Sequence, residues 1–154
     1  MAETENLREE ENPFQYKTAG ESTGFLLWQV HNQWQREIKK SLKEFDLTHT
    51  QFVILASAYW LTLQQETVTQ VRIARLSHSD VMMTSNVIRA LEKKHLLKRK
   101  EHERDTRAKQ VVLTEKGKKL LSGAVRAVES FDRRFFGALS EPASFNRALE
   151  ELLK

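Results

Sequence analysis

The 154-residue chain contains no cysteine. That excludes disulfides and any thiol-based redox switch. Glycine and proline are scarce, five and two residues, while 40% of the chain is hydrophobic. So few turn formers favour a mostly helical protein over a sandwich or barrel. A long apolar run is also missing. The richest stretch, Phe52 to Leu63, is far shorter than the ~20 residues a bilayer span needs. The N-terminus is acidic and has no apolar centre, unlike a signal peptide. No membrane association and a cytoplasmic location are therefore expected. The sequence has no phosphate-binding glycine loop, no zinc-hydrolase helix motif and no G-x-S-x-G turn. An enzyme is not expected, nor is a cofactor. The five histidines, at 31, 49, 78, 95 and 102, show no ligand-like spacing on one helix, so no metal site is expected.

What the chain does have is unevenly placed charge. The formal net charge is only +4. Residues 1–12 carry five Glu against one Arg, whereas residues 89–119 carry twelve Lys or Arg against five acidic groups. A confined basic block is the footprint of phosphate binding, although a merely solvated face gives the same composition.

The block coincides with a recognisable arrangement. Thr67-Val68-Thr69-Gln70 reads as a capping box opening a short helix with Val71, Ile73, Ala74 and Leu76 on its apolar side. Ser77-His78-Ser79-Asp80 breaks that helix and offers new caps. Val81, Thr84, Val87, Ile88 and Leu91 then recur as one face of a second helix, about residues 80–94. Lys98-Arg99-Lys100 and Gln110 to Leu113 read as strands joined by a loop holding Arg104, Asp105 and Arg107. The expected architecture is mostly α with a small β-hairpin wing at residues 98–113: a winged helix-turn-helix, whose second helix suits a major groove.

These segments carry a family resemblance. Asp80 to Asn86 (Asp-Val-Met-Met-Thr-Ser-Asn), Leu91 to Leu97 (Leu-Glu-Lys-Lys-His-Leu-Leu), Arg104 to Lys109 and Leu113 to Gly117 (Leu-Thr-Glu-Lys-Gly) resemble the MarR family of bacterial transcriptional regulators in order and spacing. The match is strongest over residues 67–120. The family usually has Gly where this chain has His95. That position closes the reading helix and calls for left-handed backbone, which His tolerates better than most non-glycine residues.

The flanking segments complete the layout. Residues 1–16 read as a mobile acidic tail. Residues 17–46 hold a long helix from near Ser22 to Phe45, with Leu27, His31, Trp34, Ile38, Ser41 and Phe45 as one stripe. Thr48 to Gln51 is a capping box that opens a central, nearly all-apolar helix to Leu63. The winged domain spans 47–114. Residues 115–154 hold a long helix capped by Thr114 and a short one begun at Pro142. The terminal helices carry more apolar surface than one domain covers, which signals an interface. The resemblance implies the same, a homodimer whose N- and C-terminal helices interlock.

Candidate site residues follow. On the reading helix Met82, Met83, Ser85, Asn86, Arg89 and Lys93 lie off the buried stripe. Asn pairs with adenine, Arg with guanine, Met touches a thymine methyl, and Ser suits a phosphate. Core filling is the plainer role for both Met. The resemblance implies that Arg107 reaches the minor groove with Asp105 orienting it, and a guanidinium suits that narrow, negative groove. A surface ion pair is the plainer role. Arg99, Lys100, Arg104 and Lys109 suit phosphates. Aromatic Trp28, Trp34, Phe52, Tyr59 and Trp60, with His31, suggest a pocket, though such aromatics also build cores. Family members bind small aromatic or anionic effectors in such a crevice, which loosens DNA. The expected function is a sequence-specific regulator of double-stranded DNA, a repressor that a small ligand releases. The alternative is a winged module that binds protein instead.

Overall fold

The computed structural model describes residues 13–101 and 109–154. The expected acidic tail up to residue 12 and the wing-tip residues Arg104, Asp105 and Arg107 lie outside the described residues. The chain falls into two compact units, Met1–Trp34 and Gln35–Lys154. Helix α1 (Thr23–Leu42) begins in the first and continues into the second. Then follow α2 (His49–Leu63), α3 (Gln70–Leu76), α4 (Val81–Lys93), β1 (Leu97–Glu101), β2 (Lys109–Leu113), α5 (Glu115–Phe136) and α6 (Pro142–Leu152). This is the expected winged helix-turn-helix with a helix before it and two after.

In the first unit Ser22 starts α1, its Oγ accepting the Phe25 N–H at 3.3 Å. Almost nothing is buried here. Phe25, Leu26, Leu27, Trp28 and Val30 all face solvent.

In the second unit α2 is the hub. Thr48 and Gln51 close the expected capping box, with both hydrogen bonds at 3.1 Å. Ile54, Leu55 and Ala58 are fully buried, and α2 packs against α3, α4, α5 and β2. The hairpin is antiparallel, with Leu97 opposite Leu113 and Arg99 opposite Val111. The Val111 N–H also donates to Val68 O at 2.9 Å. That bond holds residues before α3 extended. The helix therefore starts later than the Thr67 capping box predicted: Thr69 is the cap, accepting from the Arg72 N–H at 3.3 Å. In so short a helix only Ile73 and Ala74 reach the core, and Val71 and Leu76 are exposed.

Four helix ends are closed by non-glycine residues in left-handed backbone: Asp46 (φ 51°), Gln65 (φ 57°), His78 (φ 49°) and the expected His95 (φ 58°). At each, the following N–H reaches back five residues, as Leu96 N–H does to Leu91 O at 3.0 Å. This double-bonded ending satisfies carbonyls that the helix leaves open. None of the glycines has positive φ. At least one serves close approach instead. A Cβ on Gly117 would stand 2.1 Å from Leu96 O, so the start of α5 lies directly on the backbone that ends the reading helix.

Candidate nucleic-acid interface

Helix α4 is set up by its first turn. The Asp80 carboxylate accepts the Met83 N–H at 2.9 Å, and Thr84 Oγ1 donates to Asp80 O at 2.8 Å. Thr84 is thereby satisfied although fully buried, alongside Ile88 and Leu91. The Gln70 amide donates to Val81 O at 3.4 Å, joining the start of α3 to the start of α4. The far end is held too. Lys94 Nζ donates to Asp46 O and, at 3.3 Å, to Gln51 Oε1, while Lys116 Nζ donates to Lys94 O at 3.1 Å.

With one face in the core, the opposite face is open to solvent. Met82, Asn86, Arg89 and Lys93 are all exposed, Met82 by 68%. Their spacings of four, three and four form a single outward stripe. Met83 is half-buried at its edge. Ser85 departs from expectation. It is only 8% exposed, and its Oγ accepts from Arg89 Nη2 at 3.2 Å.

The hairpin sorts its cations by strand alternation. Lys98 and Lys100 face out, opposite Val112 and Gln110, and Lys109 is exposed as well. Arg99 shares its face with buried Val111, and its Nε lies 3.4 Å from Glu92 Oε2. Arg99, expected to suit a phosphate, is half-buried beside Glu92 because the pleat turns it inward.

A cleft of about 790 Å³ lies between α2 and α5. Of the six expected pocket residues, Phe52, Tyr59 and Trp60 line it, with Leu121 and Val125. Its rim carries Lys118, Arg126, Glu129 and Asp132, which sequence reading missed. The signal was present: Lys118, Ser122 and Arg126 recur every four residues on one edge of α5. Lys118 donates to Glu115 at 2.8 Å. That hydrogen bond, reinforced by charge attraction, holds the ammonium above the usual lysine range and the carboxyl below its own. The other three aromatic-cluster residues belong to the first unit. There Trp28 and His31 line a shallow cleft of about 330 Å³, and the His31 and Trp34 rings stand 6.3 Å apart. Among the described residues no three His or carboxylate side chains gather as a metal site. No described helix is long and apolar enough to cross a membrane.

A buried-face helix with a polar outward stripe, set beside a hairpin with outward lysines, defines a winged helix-turn-helix DNA-binding protein. Comparison with known proteins agrees. The family described as "ArnR1-like, winged-helix domain" matches residues 43–129. The uncharacterized HTH-type transcriptional regulator YdcH of Bacillus subtilis (strain 168) is 44% identical over 133 residues, covering 86% of this chain and 90% of that protein. Among solved structures, the S. aureus MepR–DNA complex superposes with a TM-score of 0.76 at 26% identity, over 86% of this chain and 94% of MepR. BpsR of Bordetella bronchiseptica gives 0.80 at 23% identity, over 93% and 99%. The chain belongs to the MarR family of winged-helix transcriptional regulators. Such relatives are regulators, not enzymes.

Proposed function

We propose that the protein is a cytoplasmic homodimeric repressor that binds a pseudo-palindromic operator. The observation that carries this reading is the exposed Met82–Asn86–Arg89–Lys93 stripe, flanked by the outward Lys98, Lys100 and Lys109. The α4 stripe enters the major groove, where Asn86 and Arg89 offer bidentate pairs to adenine and guanine, and Met82 meets a thymine methyl. The wing follows the backbone to the minor groove. There Arg107 inserts, oriented by Asp105, and Arg104 meets phosphate. Ser85 contributes by fixing Arg89.

The dimer reading rests on the unpaired apolar faces of α1 and α6. Phe25, Leu26 and Leu27 are exposed on one, Leu152 and Leu153 at the end of the other. A two-fold dimer sets its reading helices about one DNA turn apart, which is why the site is pseudo-palindromic. The effector reading rests on the α2–α5 cleft. Its aromatic walls suit a small aromatic ligand, with Arg126 and Lys118 as partners for a carboxylate and Glu129 and Asp132 beside them. BpsR, a fold relative, has its DNA binding regulated by 6-hydroxynicotinic acid.

Selection of bound duplexes from a random pool, repeated at low and high salt, tests the reading. It should return an inverted repeat with half-site centres about ten base pairs apart. Affinity should fall steeply with salt. Salt-insensitive binding with no selected sequence would instead favour a protein-binding winged module.

A further inference from the structure

Of the three consecutive cations Lys98, Arg99 and Lys100, the hairpin turns two outward and one in. Arg99 is placed by register on the face of buried Val111, and its side chain is 24% exposed. The Glu92 carboxylate it meets belongs to α4, one turn on from Arg89 at the edge of the reading stripe, and is itself 29% exposed. This pair spans two separate elements, the reading helix and the first wing strand. Solvent screens it less than the open pairs Lys40–Glu37 and Lys118–Glu115. A guanidinium is planar and keeps its charge at all working pH values, so it fixes a direction as well as a distance.

We propose that Arg99 and Glu92 form a strut that sets the angle between wing and reading helix, making Arg99 a positioning residue for DNA recognition. Helix α4 is fixed by its own core contacts at Thr84, Ile88 and Leu91. The hairpin is anchored by Leu97 and Leu113 at its base. Beyond that base the inward face of β1 offers Arg99 as its next inward side chain. The strut therefore acts on the outer half of the wing, the part that must reach the neighbouring groove while α4 occupies its own. It leaves the base pairing of Asn86 and Arg89 untouched. This inference rests on the proposed placement of the wing in the minor groove.

The test uses the full-length protein and two duplexes that share one selected core, with A·T-rich or G·C-rich flanks. Binding is measured at several salt concentrations for wild type, Arg99→Gln, Glu92→Gln and the exchange Glu92→Arg with Arg99→Glu. Each single variant should bind the A·T-flanked duplex about five- to tenfold more weakly. Flank preference should shrink, while preference within the core stays. The exchange should restore part of the flank preference. Arg99→Gln should leave the salt slope unchanged, whereas Lys100→Gln should flatten it by about one. The two single variants change net charge in opposite directions, so long-range electrostatics alone predicts tighter binding for Glu92→Gln. That result, or a flatter salt slope in Arg99→Gln, would make Arg99 a phosphate contact and overturn the strut. Wild-type protein blind to its flanks would overturn the wing placement and the strut together. Flank preference in wild type that survives both single variants would overturn the strut alone. If the Gln variants fail to fold by circular dichroism, Arg99→Lys and Glu92→Asp carry the same expectations in milder form.

Discussion

At the scale of single residues, the proposed recognition divides between side chains that read and side chains that hold them. Asn86→Ala or Arg89→Ala should change the selected operator, each losing about 1–3 kcal/mol of discrimination at one base pair. Ser85→Ala should weaken the same position as Arg89→Ala, less severely, because it frees the guanidinium without removing it. In the wing, Arg107→Ala should weaken binding to every duplex, reduce the preference for A·T-rich flanks and flatten the salt slope by about one. Asp105→Ala should also weaken binding although it makes the protein more positive, and tighter binding at every salt concentration would refute its orienting role. Much of this division could be read from the sequence. The stripe of Met82, Asn86, Arg89 and Lys93 follows from a buried Thr84, Ile88 and Leu91 at helical spacing. Ser85 and Arg99 are less exposed than expected for a shared reason: their chemistry looks outward while their position faces inward. Strand alternation in Lys98-Arg99-Lys100 already implied the inward turn of Arg99. Nothing in a serine's chemistry announces how far it is buried.

At the scale of elements, the caps were the legible part. Thr48, Asp80 and Thr114 each begin a helix where a hydroxyl or carboxylate precedes an apolar period. Thr69 was confused with Thr67 because the deciding contact is long-range, the strand-like bond from Val111 to Val68. Helix ends were harder, since the usual marker, glycine, is absent from all four left-handed positions. Those positions hold removable strain, about 1–2 kcal/mol for an ordinary L-residue. Gln65→Gly should therefore raise the thermal midpoint by a few degrees, a reversal of the usual cost of glycine. Gly117→Ala should act the other way. Alanine's better helix propensity is about 1 kcal/mol, but the added methyl must displace the Leu96 carbonyl, and overpacking of this kind costs about 1–3 kcal/mol. Thermal melts of the two variants side by side check both signs. A destabilised Gln65→Gly would mean that its side chain contributes more than the strain it imposes.

At the scale of the whole molecule, the exposed faces of α1 and α6 call for a partner copy. Sedimentation at micromolar concentration should give about twice the chain mass, and a well-folded monomer there would remove the dimer. The α2–α5 cleft should report separately. A panel of small aromatic acids that includes 6-hydroxynicotinate should contain one that raises the melting midpoint and weakens operator binding. Trp60→Ala should abolish both effects while leaving basal DNA binding intact. The meeting of Gly117 with Leu96 gives these two features a mechanical connection. With 22 residues, α5 is a rod about 33 Å long at 1.5 Å per residue. One end presses on the backbone that closes the reading helix, with no side chain between them to absorb movement. Partway along it passes the cleft, and beyond that it leads to α6. Such a rod is a lever with its short arm at Leu96. A displacement of about 2 Å at the far end turns it by only three or four degrees about its contact with Leu96.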